Sequence, residues 1–307
     1  MTRVRIPTGA LSKMEENKNF HDKYYKLLLV IPLVILILAL IQIGVTYSKT
    51  GDFMQKDISL TGGTSITLYN QMDIDKLTQD LSNKLDDIST KSIYDLVTRE
   101  QKAVIIETKT EGDQAKQILE DYLGYNLTSE NSSFEFTGST LSESFYKQLI
   151  IAIIIAFIFM GLVVFIIFRT LIPSSAVIIS AFADIIMTLA LFNLLGMKMS
   201  TAGIVAFLML IGYSVDTDIL LTTRILKRKE GTLNERALGA FKTGITMTLT
   251  SLLAVLFALF IVRSFSVVLT QIFTILVVGL GFDILNTWVT NVGILKWYAQ
   301  SKERKNE

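Results

Sequence analysis

The chain of 307 residues contains no cysteine, and its one histidine, His21, lies in a charged N-terminal tail. Without thiols there is no disulfide, no thiolate nucleophile and no cysteine-based metal site, so redox and zinc chemistry are excluded. A phosphate-cradling G-x-x-x-x-G-K-[ST] loop is also missing. The nearest string, Gly239-Ala-Phe-Lys242-Thr243, lacks the glycines through which backbone amides approach phosphate. Net charge is only +1, from 29 basic and 28 acidic residues, so nothing suggests nucleic acid as a partner. No cofactor, metal or catalytic constellation is implied, and the chain does not read as an enzyme.

What the chain has in excess is apolar residues, which make up 50% of it, with a mean hydropathy of +0.48. That is too apolar for a domain that must cover itself with polar surface, so the sequence reads as a membrane protein. A hydrocarbon core about 30 Å thick needs roughly 20 apolar helical residues. Six such windows occur: 27–48, 148–168, 171–195, 199–223, 243–262 and 266–295. The plan is a tail over 1–26, one helix, a segment over 49–146 outside the membrane, a five-helix bundle within 147–296 and a short tail over 297–307. The first helix has too long an apolar core for a signal peptide and no cleavage site follows it, so it reads as a retained anchor.

Basic residues set the expected orientation, because Lys and Arg in short loops stay on the cytoplasmic side. With the N-terminus inside, 17 basic residues fall on the cytoplasmic side and two, Lys198 and Arg263, in the short outer loops. Both termini are then cytoplasmic and the segment 49–146 is external. That segment carries an excess of acid and reads as β-α-β-β-α-β. Strands are predicted over 58–69, 92–98, 103–108 and 133–137. Helices are predicted from Asp73 or Asp75 through Leu85 and over 113–123, with Gly62-Gly63 marking a bulge or bend in the first strand. This order predicts an α+β ferredoxin-like external domain beside an α-helical membrane bundle.

Four carboxylates interrupt the apolar windows: Asp184, Asp216, Asp218 and Asp283. Each costs about 2.5–3.5 kcal/mol at a helix centre, so each must face the bundle interior or a partner, paired, hydrated or protonated. Because burial disfavours a charged carboxylate, these residues are the candidate sites at which a proton or another cation binds and leaves. Hydrogen-bonded glue between helices is the plainer alternative. Asp216 and Asp218 are about 200° apart on an ideal helix, and both face one point only if the helix unwinds near Gly212. Arg224 and Lys242 are either snorkelling anchors at helix ends or ion-pair partners of Asp216 and Asp218. The acids are expected to gather along a seam shared with a partner subunit.

Several strings carry a family resemblance. Asp57-Ile-Ser-Leu-Thr-Gly62-Gly63-Thr64 follows the first helix, and Ile211-Gly212-Tyr213-Ser214-Val215 precedes Asp216 in the fourth window. Thr248-Leu-Thr-Ser-Leu252 and Asp283-Ile-Leu-Asn-Thr-Trp288 lie in the fifth and sixth windows. In combination they resemble the SecD/SecF protein-export family, on its SecF side, and the helix plan is half of the twelve-helix arrangement of RND-superfamily transporters. The resemblance implies a SecD-like second half forming a heterodimer, a SecY-type protein channel nearby, unfolded secretory polypeptides as cargo, and coupling to a proton or sodium gradient. Against the bacterial pattern the acid is displaced by one position, as Asp216-Thr217-Asp218, and Lys242 stands near where the family carries an arginine. Both departures resemble archaeal members. An RND-type exporter half for lipids or small amphiphiles and a passive assembly factor of the Sec channel are the alternatives.

Overall fold

A computed structural model describes residues 27–95, 97–227 and 232–306. The basic residues of the N-terminal tail, His21, Arg228 and Lys229 lie outside the described residues. Among the described residues six helices are long and apolar enough to cross a membrane. They are α1 (Val30–Thr50), α5 (Ser139–Phe168), α6 (Leu171–Leu194), α7 (Thr201–Lys227), α8 (Leu233–Val262) and a composite last helix. This last one runs as α9 (Val267–Leu285), a π-helical stretch Asn286–Asn291, and α10 (Val292–Asn306). Each overlaps one of the apolar windows, and α5 and α8 begin 9 and 10 residues earlier than their windows. Helical hydrogen bonding does not stop at the apolar boundary. The first turns of α5 carry the exposed Glu143–Lys147 ion pair, and α8 opens on a capping box between Thr232 and Glu235.

The helices are not equivalent. In the apolar windows of α6 and α7, 61% and 56% of residues are buried, against 6% in α5 and 11% in α8. The first two therefore form the centre of the bundle, and the others turn broad apolar faces outward, as a helix in lipid or against a membrane partner does.

Between α1 and α5 lies the ferredoxin-like domain: β1 (Gly63–Leu68), α3 (Ile74–Leu81), β2 (Ser89–Tyr94), β3 (Gln101–Thr108), α4 (Gly112–Leu123) and β4 (Ser132–Thr137). The antiparallel sheet has the order β2-β3-β1-β4. Its register opposes Ile66 to Ile106 and to Phe134 across the two pairs of β1. Ile66, Leu68, Val104 and Ile106 on one sheet face meet Leu77 and Leu81 of α3 and Ala115 and Leu119 of α4 to form its core. A second core joins domain and bundle, with Met54, Leu60 and Tyr146 packed against Phe192, Met199 and Phe207.

Two strands differ from their sequence expectation. The segment 58–69 does not begin as a strand: Ile58–Thr61 is a helical turn, α2. Asp57 enforces it, its Oδ1 accepting from the Ser59 amide at 2.9 Å and the Ser59 hydroxyl at 2.6 Å, an N-cap that outcompetes β propensity. The second strand ends at Tyr94, not at residue 98, because Asp95 Oδ1 accepts from the amides of Val97 and Thr98 and turns the chain.

Candidate functional site

Three of the four membrane carboxylates meet inside the bundle. Asp184 on α6, Asp218 on α7 and Asp283 on α9 are all fully buried. The side chains that bond them are hydroxyls and amides. Ser214 donates to Asp184 at 2.5 Å and Asn286 at 2.7 Å. Asn291 donates to Asp218 Oδ1 at 2.7 Å, Thr287 at 2.9 Å and Ser180 at 3.3 Å. Asp283 is served by Thr217 at 3.2 Å and Thr287 at 3.1 Å.

The donors are fewer than they look. A hydroxyl has one hydrogen, yet Thr287 Oγ1 lies within hydrogen-bond distance of both Asp218 and Asp283. Thr217 divides its one hydrogen between Asp283 and the carbonyl of Ser214, 2.9 Å away. Asp218 Oδ2 and Asn291 Oδ1 are buried without a donor among the described residues. Such an arrangement has two or more nearly equal hydrogen-bond patterns and spare acceptors, which suits a group that takes up and releases a proton or a small cation.

Ser180, Asn286, Thr287 and Asn291 were not among the residues singled out for ion coupling. For Ser180, Thr287 and Asn291 the signal is spacing: Ser180-Asp184-Thr188 and Asp283-Thr287-Asn291 repeat every four residues in otherwise apolar helices, a polar stripe along one helix face. The last helix widens into its π stretch here, and π turns often mark functional positions.

Asp216 does not join the cluster. Helix α7 runs unbroken through Gly212, so Asp216 and Asp218 keep their helical angle and point apart. Asp216 is exposed and shares an outward face with Gly212, Tyr213 and Met209. It lines a shallow pocket with Ile219, Leu220, Thr223, Arg224 and Lys227. The expected seam between subunits is thus corrected: three acids lie within this chain and one faces outward.

Among the described residues no ion pair links Arg224 or Lys242 to an aspartate. Arg224 donates to the carbonyl of Gly239 at 2.5 Å and Arg236 to that of Ile225 at 2.8 Å, so α7 and α8 are laced together through each other's backbone. Lys242 is exposed on α8.

The Asp57–Gly63 string forms the junction between α1 and the sheet. Gly62 has φ +82° and Gly63 φ +144°, and a Cβ on Gly62 would stand 2.6 Å from the Ser139 amide nitrogen. Only glycine fits such a backbone. Burial pushes the Asp57 carboxyl up from 3.8 to about 6, against the opposing hydrogen bonds from Ser59. The folded chain therefore holds this proton more tightly than the unfolded one. The associated stability is complete below about pH 4 and is lost as pH rises through about 6, a change on the order of 3 kcal/mol. Nearby Asp87 has the opposite sign: burial raises it, but Lys198 and Lys109 prevail and hold it below its ordinary value. The expected result is that Asp57→Asn flattens the fall in thermal midpoint between pH 4.5 and 7.5. An unchanged profile in that variant would refute the assignment.

With this geometry in hand, relatives decide the family. Residues 117–301 match the model of "Protein export membrane protein SecD/SecF, C-terminal". The protein-export membrane protein SecF of Methanocaldococcus jannaschii is 40% identical over 92% of this chain and 99% of its own length. The chain belongs to the SecD/SecF family. The SecF of Methanothermobacter thermautotrophicus is also 40% identical, over 91% of this chain and 94% of its own. SecDF of Thermus thermophilus, described as a translocon-associated membrane protein, superposes with a TM-score of 0.68 at 20% identity, over 90% of this chain. This SecD/SecF chain spans 38% of that structure, and the two share the fold. The aspartate cluster lies wholly inside the matched family region.

Proposed function

We propose that this protein is the SecF half of a two-part membrane machine that assists movement of polypeptides across the cell membrane, acting by binding and movement and not as an enzyme. The observation that carries the reading is the buried trio Asp184, Asp218 and Asp283, set among neutral donors in a chain related to protein-export membrane proteins along nearly its whole length. Uptake of a proton or sodium ion changes which hydrogen-bond pattern is cheapest and so which packing of α6, α7 and α9 is preferred. Both termini are cytoplasmic and the ferredoxin-like domain is external, the orientation that the basic residues favour.

A SecD-like half docks on the outward face of α7. The carboxylate of Asp216 on an apolar membrane face requires a partner group, which a second helix carrying a donor or a cation provides. A SecY-type channel and unfolded secretory chains complete the assembly. The test is export into proteoliposomes holding the full assembly, with an imposed proton or sodium gradient and with each gradient collapsed by an ionophore. Gradient-stimulated completion of translocation is expected. Equal export under all conditions would reject ion coupling and leave a passive role in the assembly.

A further inference from the structure

Helix α7 carries Asp218, and its first turn is not satisfied within the bundle alone. Ser200 caps it, its hydroxyl accepting from the Gly203 amide at 3.2 Å. The Thr201 amide, one of the free donors at a helix start, leaves the bundle and donates to Ser59 Oγ of the outer junction at 2.9 Å. Thr201 Oγ1 lies 3.2 Å from the same oxygen. Ser59 in turn donates to Asp57 Oδ1 at 2.6 Å. The Ser59 hydroxyl thus uses its one hydrogen and both lone pairs, the full capacity of the group.

The chain leads from there directly into the sheet. Turn α2 ends at Gly62, and Gly63 begins β1, which is hydrogen-bonded to both β3 and β4. Other ties hold the domain to the bundle but reach different elements. The Asp57 amide donates to the Met199 carbonyl at 2.9 Å, Asn193 to the Phe53 carbonyl at 2.8 Å, and the Tyr94 amide to the Ser264 carbonyl at 2.7 Å. Lys198 pairs with Asp87 at 2.7 Å. These land on loops or on the end of α6, whereas the Ser59 contact lands on α7 itself.

We infer that Asp57 and Ser59 are positioning residues that tie the start of α7, and through it Asp218, to β1, an interior strand of the outer domain, so that a shift of α7 moves the sheet. The inference rests on the ion-coupled reading above. A helix is stiff, and Asp218 lies about 25 Å along α7 from Thr201 at 1.5 Å per residue. Rearrangement of hydrogen bonds at Asp218 that slides or tilts α7 is therefore felt at its far end. Ser59 is the hydroxyl that receives it.

Thr201 occupies the first position of α7, where proline is tolerated because its missing N–H had no helical acceptor. Thr201→Pro removes the amide donor and leaves the helix. Ser59→Ala removes the hydroxyl, and Ser59→Thr restores one. The chain has no native cysteine, so Lys84→Cys in the outer domain and Leu194→Cys at the end of α6 accept a spin-label pair cleanly. The full-length protein with its partner half, in proteoliposomes, is read for the inter-label distance and for export under an imposed gradient.

The expected result is a gradient-dependent distance change in the otherwise wild-type chain. In Ser59→Ala and Thr201→Pro it is lost, with gradient-stimulated export reduced on the order of tenfold, a usual scale of coupling between sites. Thermal midpoints stay close to wild type, and Ser59→Thr recovers both signals. Wild-type distance change and export in Ser59→Ala and Thr201→Pro would overturn the inference. So would a parallel fall of midpoint and export, which marks ordinary packing. A wild-type chain with no gradient response at all overturns the ion-coupled reading itself.

Discussion

Asp218→Asn is expected to abolish gradient-stimulated export while the chain still inserts and folds. The replacement keeps the size of the side chain and an oxygen able to accept from Thr287 and Asn291, so the helix packing around it survives. Removing a buried carboxylate with no basic group among its bonded partners does not strand an opposite charge, the event that makes such changes destabilising. What is lost is the ability to bind a proton or cation, and with it the bias between packings, a loss of tenfold or more. Asp184→Asn and Asp283→Asn follow the same logic. Asp216→Asn should behave differently, weakening co-purification of the second half more than the ion response. Normal gradient stimulation in Asp218→Asn, measured in the same proteoliposomes, removes the cluster from the mechanism.

Gly62→Val is expected to unseat the ferredoxin-like domain. A residue with a Cβ at φ +82° and ψ 161° enters a region essentially restricted to glycine, at a cost of about 1–3 kcal/mol in backbone strain alone. Its side chain also collides with the backbone where α5 begins, 2.6 Å from the Ser139 nitrogen. Backbone cannot move aside as a flexible side chain does, so the total is expected to exceed about 4 kcal/mol, in the range reserved for a broken structural feature. Limited proteolysis reads it out, with cleavage between residues 50 and 140 rising sharply while the bundle stays protected. Wild-type resistance would mean that the glycine pair is dispensable.

Much of this architecture is legible in the sequence, because the bilayer imposes length and charge rules that a soluble interior does not. Apolar windows, three of them interrupted by aspartates, pointed to the six long helices seen among the described residues, and alternation with amphipathic spacing pointed to the elements of the ferredoxin-like sheet. The failures were local and electrostatic. Asp57 looked like a residue before a strand, yet its carboxylate captures the Ser59 amide and winds one helical turn first. Asp216 and Asp218 could not be ranked from composition. The side of α7 that is buried depends on which neighbours pack there, and only the geometry shows Asp218 inside and Asp216 outside. Arg224 drew attention as a charge partner because formal charges are conspicuous, whereas its acceptor is an uncharged carbonyl of α8. Ser180 and Asn291 escaped notice because single polar residues in apolar helices are common, and their meaning appears only once the helices are set side by side.

Thr287 stands between two acids with a single hydrogen to give. When one of them is loaded and no longer needs it, that hydrogen is free to turn to the other. The occupancy of each acid is thereby legible to its neighbour across helices that belong to different parts of the chain. Under the proposed ion coupling, loading is then not two independent events but an exchange with an order to it, and Thr287→Val, which keeps the shape and deletes the hydrogen, is expected to let the two acids fill without reference to one another.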